Sequence, residues 1–368
     1  MGLPTLNIYF AQAARLTAYR INHGTVAVIV KESTTAQQGK IYKIASASDI
    51  PAALAADNQN YIESVFAGNE YAPREVIIAT VAKTNTDYTV AFGLLATERF
   101  DWLVAPPDID AVGTSAIVTW IKSIRTNGGI AKAVLPGAEA NDEGIVNFTS
   151  SGIKNALVRQ TGQTATAGVT AAQYCGRVAG YIAGTPLSKS ITYGVLPDAT
   201  DFRRLSKQEM ESAIDAGQLI LMHDGEKVKF ASGVTSLTTV TANKFEQMKK
   251  IKIVAAMDTI RQDLRLLVQD NYIGKLPNSY DNKCLLITAI KGYFRQLELD
   301  GILEDGSTVG IDIEAQRRYL IDVGKDVNSM SDDDIKHANT GANVFVEAQI
   351  SILDAIENIE IRISLDLG

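Results

Sequence analysis

The chain has 368 residues, of which 46% are hydrophobic and 21% charged, and a formal net charge of −7. This length supports two or three separately cored domains, and the composition excludes a disordered chain and a disulfide framework, because the only cysteines, Cys175 and Cys284, sit in apolar, helix-like stretches. The acidic balance argues against nucleic acid as a partner. No apolar run approaches the ~18 residues that cross a bilayer, and MGLPTLNIYF lacks a signal peptide's basic flank and apolar core, so neither secretion nor membrane anchoring is expected.

Near the start, Leu6, Ile8 and Phe10 alternate with Thr5, Asn7 and Tyr9, the period of a short strand. From His23 the pattern becomes α/β. The run Val26 to Val30 reads as a buried strand, a helix is expected from near Pro51, and a second buried strand runs from Val76 to Val81. A helix from Tyr88 to Thr97 leads to a strand at Trp102 to Ala105, stopped by Pro106-Pro107. A helix containing Ile117 to Ile124, the turn Asn127-Gly128-Gly129 and a strand from Ile130 to Leu135 follow. The last helix of this region, AAQYCGRVAGYIAG, carries Ala171, Gly176, Ala179, Gly180 and Ala183, small residues expected to let it approach the sheet closely. Strands alternating with helices predict a largely parallel sheet covered on both faces.

Past Ser188 the character shifts to short strands and amphipathic helices, an α+β pattern. Ser206 with Glu209 forms a capping box, and Leu219 to Met222, Asp224-Gly225 and Lys227 to Phe230 form a hairpin. Two longer helices are predicted, Asp258 to Asn271 and Asn282 to Asp300, the second ended by Gly301. The polar stretch from Asp322 to Asn343, with Ser331-Asp332-Asp333-Asp334, reads as a solvated loop or helix start. At the end, Val344, Val346, Ala348, Ile350 and Ile352, then Ile359, Ile361, Ile363, Leu365 and Leu367, alternate with polar or small residues. A strand of this quality must be paired, either in the protein's own sheet or in a neighbour's.

Chemistry finds no foothold, and no catalytic, cofactor or metal residues are assigned. His23, His223 and His337 are isolated from one another. Gly113-Thr114-Ser115-Ala116-Ile117 lacks the closing glycine of a nucleophile elbow. In Gly184 to Ser190, Ser188 stands where a phosphate loop has glycine, and Pro186 removes an amide. No dinucleotide fingerprint follows the early strands.

Several segments of the second half, in order and with similar gaps, resemble the C-terminal domain of contractile tail sheath proteins. They are Ala231 to Thr239, Phe245, Met248 to Val254, Met257 to Ile260 with Asp263, Asn271 to Lys275, the Leu285 to Leu297 helix with Gly301-Ile302-Leu303, and Leu353 to Ile359. The similarity covers about residues 190 to 368. The resemblance implies an N-terminal arm (1–22), an α/β domain of subtilisin-like topology without protease activity (23–186), a C-terminal α+β sheath domain (187–358) and a C-terminal arm (359–368). The chain is short for the family, lacking the β-sandwich that larger sheaths insert. The resemblance further implies a structural subunit, not an enzyme, in a phage virion or phage-tail-like particle assembled in the bacterial host cytoplasm. There it would stack in hexameric rings around a tail tube and contract to drive that tube through an envelope, with itself, the tube protein and the baseplate and tail terminator proteins as partners. Leu6, Ile8 and Phe10, and Ile359, Ile361, Ile363 and Leu365, would then be strands lent to neighbouring copies. Lys244, Lys249, Lys250 and Lys252 form a possible tube-facing cluster. Two rivals are an α/β enzyme, which would show a deep pocket at the C-terminal ends of its parallel strands, and a tube or baseplate component of the same machine.

Overall fold

The computed structural model describes residues 24–155, 157–158 and 168–364, so the expected strand at Leu6, Ile8 and Phe10, together with His23 and Leu365, lies outside the described residues. The described chain forms two compact units, an α/β unit containing residues up to 255 and from 355 onward, and a second unit of residues 256–354.

In the α/β unit the elements are, in order, β1 (Thr25–Glu32), β2 (Ile41–Ile44), α1 (Ala56–Phe66), β3 (Glu75–Ala82), α2 (Thr89–Leu95), β4 (Trp102–Val104), α3 (Ala111–Thr126), β5 (Lys132–Pro136), β6 (Ile145–Phe148) and β7 (Lys154–Asn155). They continue with α4 (Ala171–Ala183), β8 (Ala199–Asp201), α5 (Lys207–Asp215), β9 (Gln218–Leu219), β10 (Leu221–His223), β11 (Val228–Phe230) and the start of α6 (Ile251–Asn271). A seven-stranded sheet runs β2-β3-β1-β4-β5-β6-β9, parallel throughout except for β2, which pairs antiparallel with β3 at the edge.

Strand alternation splits the core in two. Val26, Val28, Val30, Ile78, Val104, Val134 and Phe148 face Tyr61, Ile62 and Val65 of α1 and Tyr174, Val178 and Ile182 of α4. Ala27, Ile29, Ile77, Leu103, Ala133 and Leu135 face Ala91 and Leu95 of α2 and Ile117 and Ile121 of α3. The central strands carry apolar runs such as Val26 to Val30 and Val76 to Ala79 because both of their faces are covered.

Helix α4 is buried nearly all round. Its Gly176 and Gly180 serve the contact with α1 rather than with the sheet: a Cβ at Gly180 would overlap the Val65 carbonyl, and one at Gly176 would press on the Tyr61 ring. A buried ion pair fixes the same helix, since Arg177 Nε lies 3.0 Å from Asp198 Oδ1 and Arg177 donates to the Gly68 carbonyl at 2.6 Å. Tyr174 donates to Asp198 at 2.7 Å, and burial, with the Asp198 charge beside it, holds the Tyr174 phenol well above its ordinary pKa.

The expected boundary after residue 186 is not where the chain divides. Strand β9 completes the large sheet beside β6, and the unit continues to Ala255, so residues 187–255 belong with the α/β domain. The crossing at Ala255/Ala256 falls inside α6, which starts at Ile251 instead of the expected Asp258. Asp258 is therefore not a cap but a mid-helix residue, 2% exposed. The Ser206 capping box and the β10–β11 hairpin form as their residues predict.

The second unit contains the rest of α6, α7 (Tyr280–Leu299), β12 (Thr308–Ile311), α8 (Ile313–Asp322), α9 (Asp332–His337) and β13 (Val346–Gln349). Ser279, not Asn282, caps α7, accepting from the Asn282 amide at 3.3 Å. Gly301, at φ 68, ends it in the left-handed conformation that glycine adopts most cheaply. Leu286, Ile290, Phe294 and Leu297 of α7 are buried, and Leu320, Val327 and Ile335 form a smaller cluster. Ser331 and Asp334 close a capping box on α9, which gives the acidic run a structural role.

Candidate assembly surfaces

The C-terminal β signal is used only in part. Val346–Gln349 pairs antiparallel with Thr308–Ile311, and Ile352 bridges Leu303, so a two-stranded sheet stands in the second unit. Such a sheet is marginal alone and leaves two edges for further strands. Glu347, Ala348 and Gln349 on β13 are exposed.

Beyond Asp354 the chain belongs again to the α/β unit, and there the Glu357 side chain attaches it to the body. Glu357 accepts from Thr192 Oγ1 at 2.7 Å and from Ser190 Oγ at 3.3 Å, and pairs with Lys250 Nζ at 2.9 Å. After it, Ile359, Ile361 and Ile363 are 75%, 75% and 80% exposed, and residues 359–364 form no strand with any described residue. Alternation places the three isoleucines on one side of an extended segment, with Glu360 and Arg362, 3.0 Å apart, on the other.

The lysine cluster is brought together differently from a simple basic patch. Lys244 pairs with Asp142 at 2.8 Å and Glu143 at 2.7 Å, Lys249 with Glu246 at 2.9 Å, Lys250 with Glu357, and Lys252 is buried. Burial alone would lower the Lys244 pKa, but its hydrogen bonds to Asp142 and Glu143 win and raise it above the lysine value. Burial likewise pushes Glu143 up, but the bond from Lys244, a backbone hydrogen bond and the charges of Arg125 and Lys244 together outweigh it and hold this carboxyl below its usual range.

A groove of about 910 Å³ does lie at the C-terminal ends of β4, β5 and β6, between the first turns of α3 and α4, where an α/β enzyme would carry its site. Most of its polar groups are bonded to neighbouring protein groups. Asp108 pairs with Lys31 at 3.3 Å, Asp110 caps α3 by accepting from the Gly113 amide at 2.8 Å, and Lys122 donates to the Ala140 carbonyl at 2.7 Å. The hydroxyls of Thr114, Ser115 and Thr119 donate to carbonyls one turn back in α3. No histidine or cysteine lines it, and among the described residues no cluster of three or more metal-ligating side chains occurs.

The remaining singled-out residues serve local structure. Gly184 lies at the C-terminal end of α4, the wrong pole for a phosphate. His223 Nδ1 accepts from the Gly225 amide at 3.0 Å in the hairpin turn, and His337 stacks on Tyr280 with ring centroids 3.9 Å apart. Cys175 and Cys284 are free thiols, and burial raises the Cys175 pKa far out of the reactive range. Sequence reasoning missed Ser190, Thr192 and Glu357; the one available signal was an acid placed between Ile356 and Ile359.

Comparison with known proteins places these features. Residues 82–236 match the phage tail sheath protein central domain, and residues 243–366 the phage tail sheath C-terminal domain. The tail sheath protein of Clostridium phage phiCD119 is 38% identical over 371 residues, covering 99% of each chain. An uncharacterized protein of Bacillus subtilis, YqbK, is 30% identical over 185 residues, 49% of this chain and 38% of that one. The fold is shared with the sheath tail protein Lin1278 from Listeria innocua (TM-score 0.69, 16% identity, 93% of this chain and 98% of that one). It is shared equally with the anti-feeding prophage helical sheath in its contracted state (TM-score 0.69, 14% identity, 100% of each).

Proposed function

The chain belongs to the phage tail sheath family, and from that we infer that it is the structural subunit of a contractile tail sheath, joined to its neighbours by strands lent from its ends. The observation that carries the joining mechanism is the tail at Ile359, Ile361 and Ile363, which alternates like a strand, is three-quarters or more exposed and has no strand partner among the described residues. Three isoleucines held in water are costly for a lone subunit. Laid along an open sheet edge they are buried, and the backbone amides and carbonyls of the segment find partners. The β12–β13 sheet offers such edges, so the acceptor is this sheet in a neighbouring copy. Leu6, Ile8 and Phe10, with Leu365 extending the C-terminal ribbon, are proposed to complete the linkage.

In this reading, subunits polymerise around a tail tube in an extended state, bounded by baseplate and tail terminator proteins. They then fall to a compact state with larger interfaces, and the lent strands keep the lattice connected as the bodies move. No chemical turnover is required, and the groove at the strand ends, with Asp108, Asp110, Lys122 and the α3 hydroxyls bonded to neighbouring protein groups, supports a scaffold reading of the α/β unit. The tube contact is proposed at Lys244, Lys249, Lys250 and Lys252. Charge reversal at Lys249 tests it while sparing the Asp142, Glu143 and Glu357 pairs: sheath on tubes is lost and tube-free polymerisation kept, and survival of both removes the assignment.

Truncation after Asn358 tests the arm itself. The expected result is a monomer with unchanged melting temperature that no longer polymerises in electron micrographs. Global unfolding of that variant would mean that the last strand completes its own domain.

A further inference from the structure

We propose that Tyr193 is a contact residue for the neighbouring copy that takes the C-terminal arm, an inference that rests on the lent-strand reading above. Its backbone lies at φ 56, in the left-handed region, where a bulky side chain is held only under strain. The residue is 60% exposed, and neither its ring nor its hydroxyl has a hydrogen bond, ring stacking or cation contact among the described residues. Within the subunit the side chain gives little packing in return for the strain, and an outlier of this kind points to a function outside the subunit's own fold.

The turn that presents the ring is rigid. The Gly194 amide donates to the Ile191 carbonyl at 2.8 Å, closing a turn whose third residue is Tyr193, a place with positive φ where glycine or asparagine is the usual occupant. Glycine stands one position later for a separate reason, since a Cβ at Gly194 would meet the Tyr181 hydroxyl at 2.5 Å and the Ile191 carbonyl at 2.8 Å. The Tyr193 amide donates to the Phe230 carbonyl at 3.0 Å, and the Phe230 amide to the Gly194 carbonyl at 3.0 Å, which stitches the turn to β11. An aromatic ring on so fixed a backbone has only its own two torsions to lose on burial, which is why tyrosine is favoured as an anchor in protein interfaces.

The occupant follows from where the arm leaves the body. Glu357 is clasped to Thr192, the residue just before Tyr193: Thr192 Oγ1 accepts from the Gly233 amide at 3.0 Å, which leaves its own proton for the carboxylate at 2.7 Å. Lys250 adds a charge-assisted bond to the same carboxylate. Ile356, the residue before Glu357, is 85% exposed, so an aromatic and an aliphatic side chain both stand in water at the root of the arm. An extended chain spans at most about 3.6 Å per residue, so Ile359 lies within roughly 7 Å of Glu357, and a strand pairing with it stands about 5 Å further on. The copy that accepts the arm therefore comes within roughly 12 Å of the Glu357 backbone. Its surface closes over the turn and buries the Tyr193 ring, so that strain carried by the free subunit is offset by a contact made only in the polymer.

The test is hydroxyl-radical footprinting of the full chain as monomer and as polymer, read at Tyr193 by mass spectrometry, together with the critical concentration for polymerisation. Oxidation of Tyr193 is expected to fall several-fold in the polymer. Tyr193→Asn, which suits the left-handed backbone, should raise the critical concentration roughly tenfold or more while the monomer melting temperature stays level or rises by about a degree or two. Tyr193→Phe keeps the ring and should polymerise as the wild type does. A Tyr193 as reactive in the polymer as in the monomer, or an unchanged critical concentration in Tyr193→Asn, overturns the contact. A clear fall in the melting temperature of Tyr193→Asn assigns the ring to the subunit's own fold and overturns it too. Truncation after Asn358 keeps the two readings apart: if that variant polymerises normally, the lent-strand reading fails and this contact with it, whereas blocked polymerisation of the truncated chain beside an unprotected Tyr193 in the wild-type polymer removes the contact alone.

Discussion

Replacing Ile359, Ile361 and Ile363 together by serine removes the apolar face of the tail without touching any packed residue. In the subunit these side chains are 75%, 75% and 80% exposed, so their apolar surface is almost wholly available for burial on docking. Full burial of an isoleucine is worth about 1.5–3 kcal/mol, and roughly three-quarters of that, about 1–2 kcal/mol each, is gained on moving from the free tail into a sheet. The triple variant therefore forfeits about 4 kcal/mol per joint, or nearly a thousandfold in association at 1.4 kcal/mol per decade. The monomer loses nothing by the same arithmetic. The assay is the critical concentration for polymerisation, measured by pelleting, with the melting temperature of the unpolymerised fraction as control. Glu360→Gln with Arg362→Gln, on the opposite side of the strand, should shift the critical concentration less than tenfold. Polymerisation of the triple serine variant at the wild-type concentration refutes the reasoning, and so does a fall in its monomer melting temperature.

Two further outcomes follow from buried charge. Arg177→Met strands Asp198, 4% exposed, without its cation and should cost about 3–5 kcal/mol in a urea titration; Arg177→Met with Asp198→Asn should recover part of that loss. Lys283 is 3% exposed, with Gln316 Oε1 at 3.4 Å and Thr340 Oγ1 at 3.3 Å from its amine, and burial lowers its pKa from the ordinary 10.5. The folded state thus binds this proton more weakly than the unfolded chain, so stability rises with pH up to 10.5 and is lost as pH falls through the folded pKa. Lys283→Met should flatten that slope in urea midpoints compared at neutral and alkaline pH.

The sequence was most legible where burial is two-sided. Val26 to Val30 and Val76 to Val81 have helices over both faces and read as strands at once, whereas β2 at the sheet edge has Ile41 and Tyr42 half-buried and Lys43 exposed, and gave no clear run. Strand β6 was hidden by Asn147, a wholly buried polar residue in a four-residue strand. The unit boundary was illegible because the chain crosses between units inside α6, with no glycine, proline or polar linker to mark it. Lys250 and Lys252 disguised the start of that helix, since a basic pair reads as solvated surface while here one is clasped and the other buried. For the assembly surfaces, periodicity revealed that Val344 to Leu367 prefers extended structure, but pairing depends on what lies opposite. Within its own chain Val346–Gln349 pairs as a strand and Ile352 bridges Leu303, while Ile359, Ile361 and Ile363 form no strand with any described residue. The Glu357 clasp was out of reach because Ser190, Thr192, Gly233 and Lys250 converge through folding, without a local spacing to announce them.

The most direct measurement is a cryo-electron microscopy map of the polymer formed by this chain, traced through residues 350–364. The account predicts density that leaves the clasp at Glu357 and runs as a strand along the β12–β13 sheet of an adjacent copy. Density that folds residues 359–364 back onto their own subunit, in a lattice that still holds together, would contradict it.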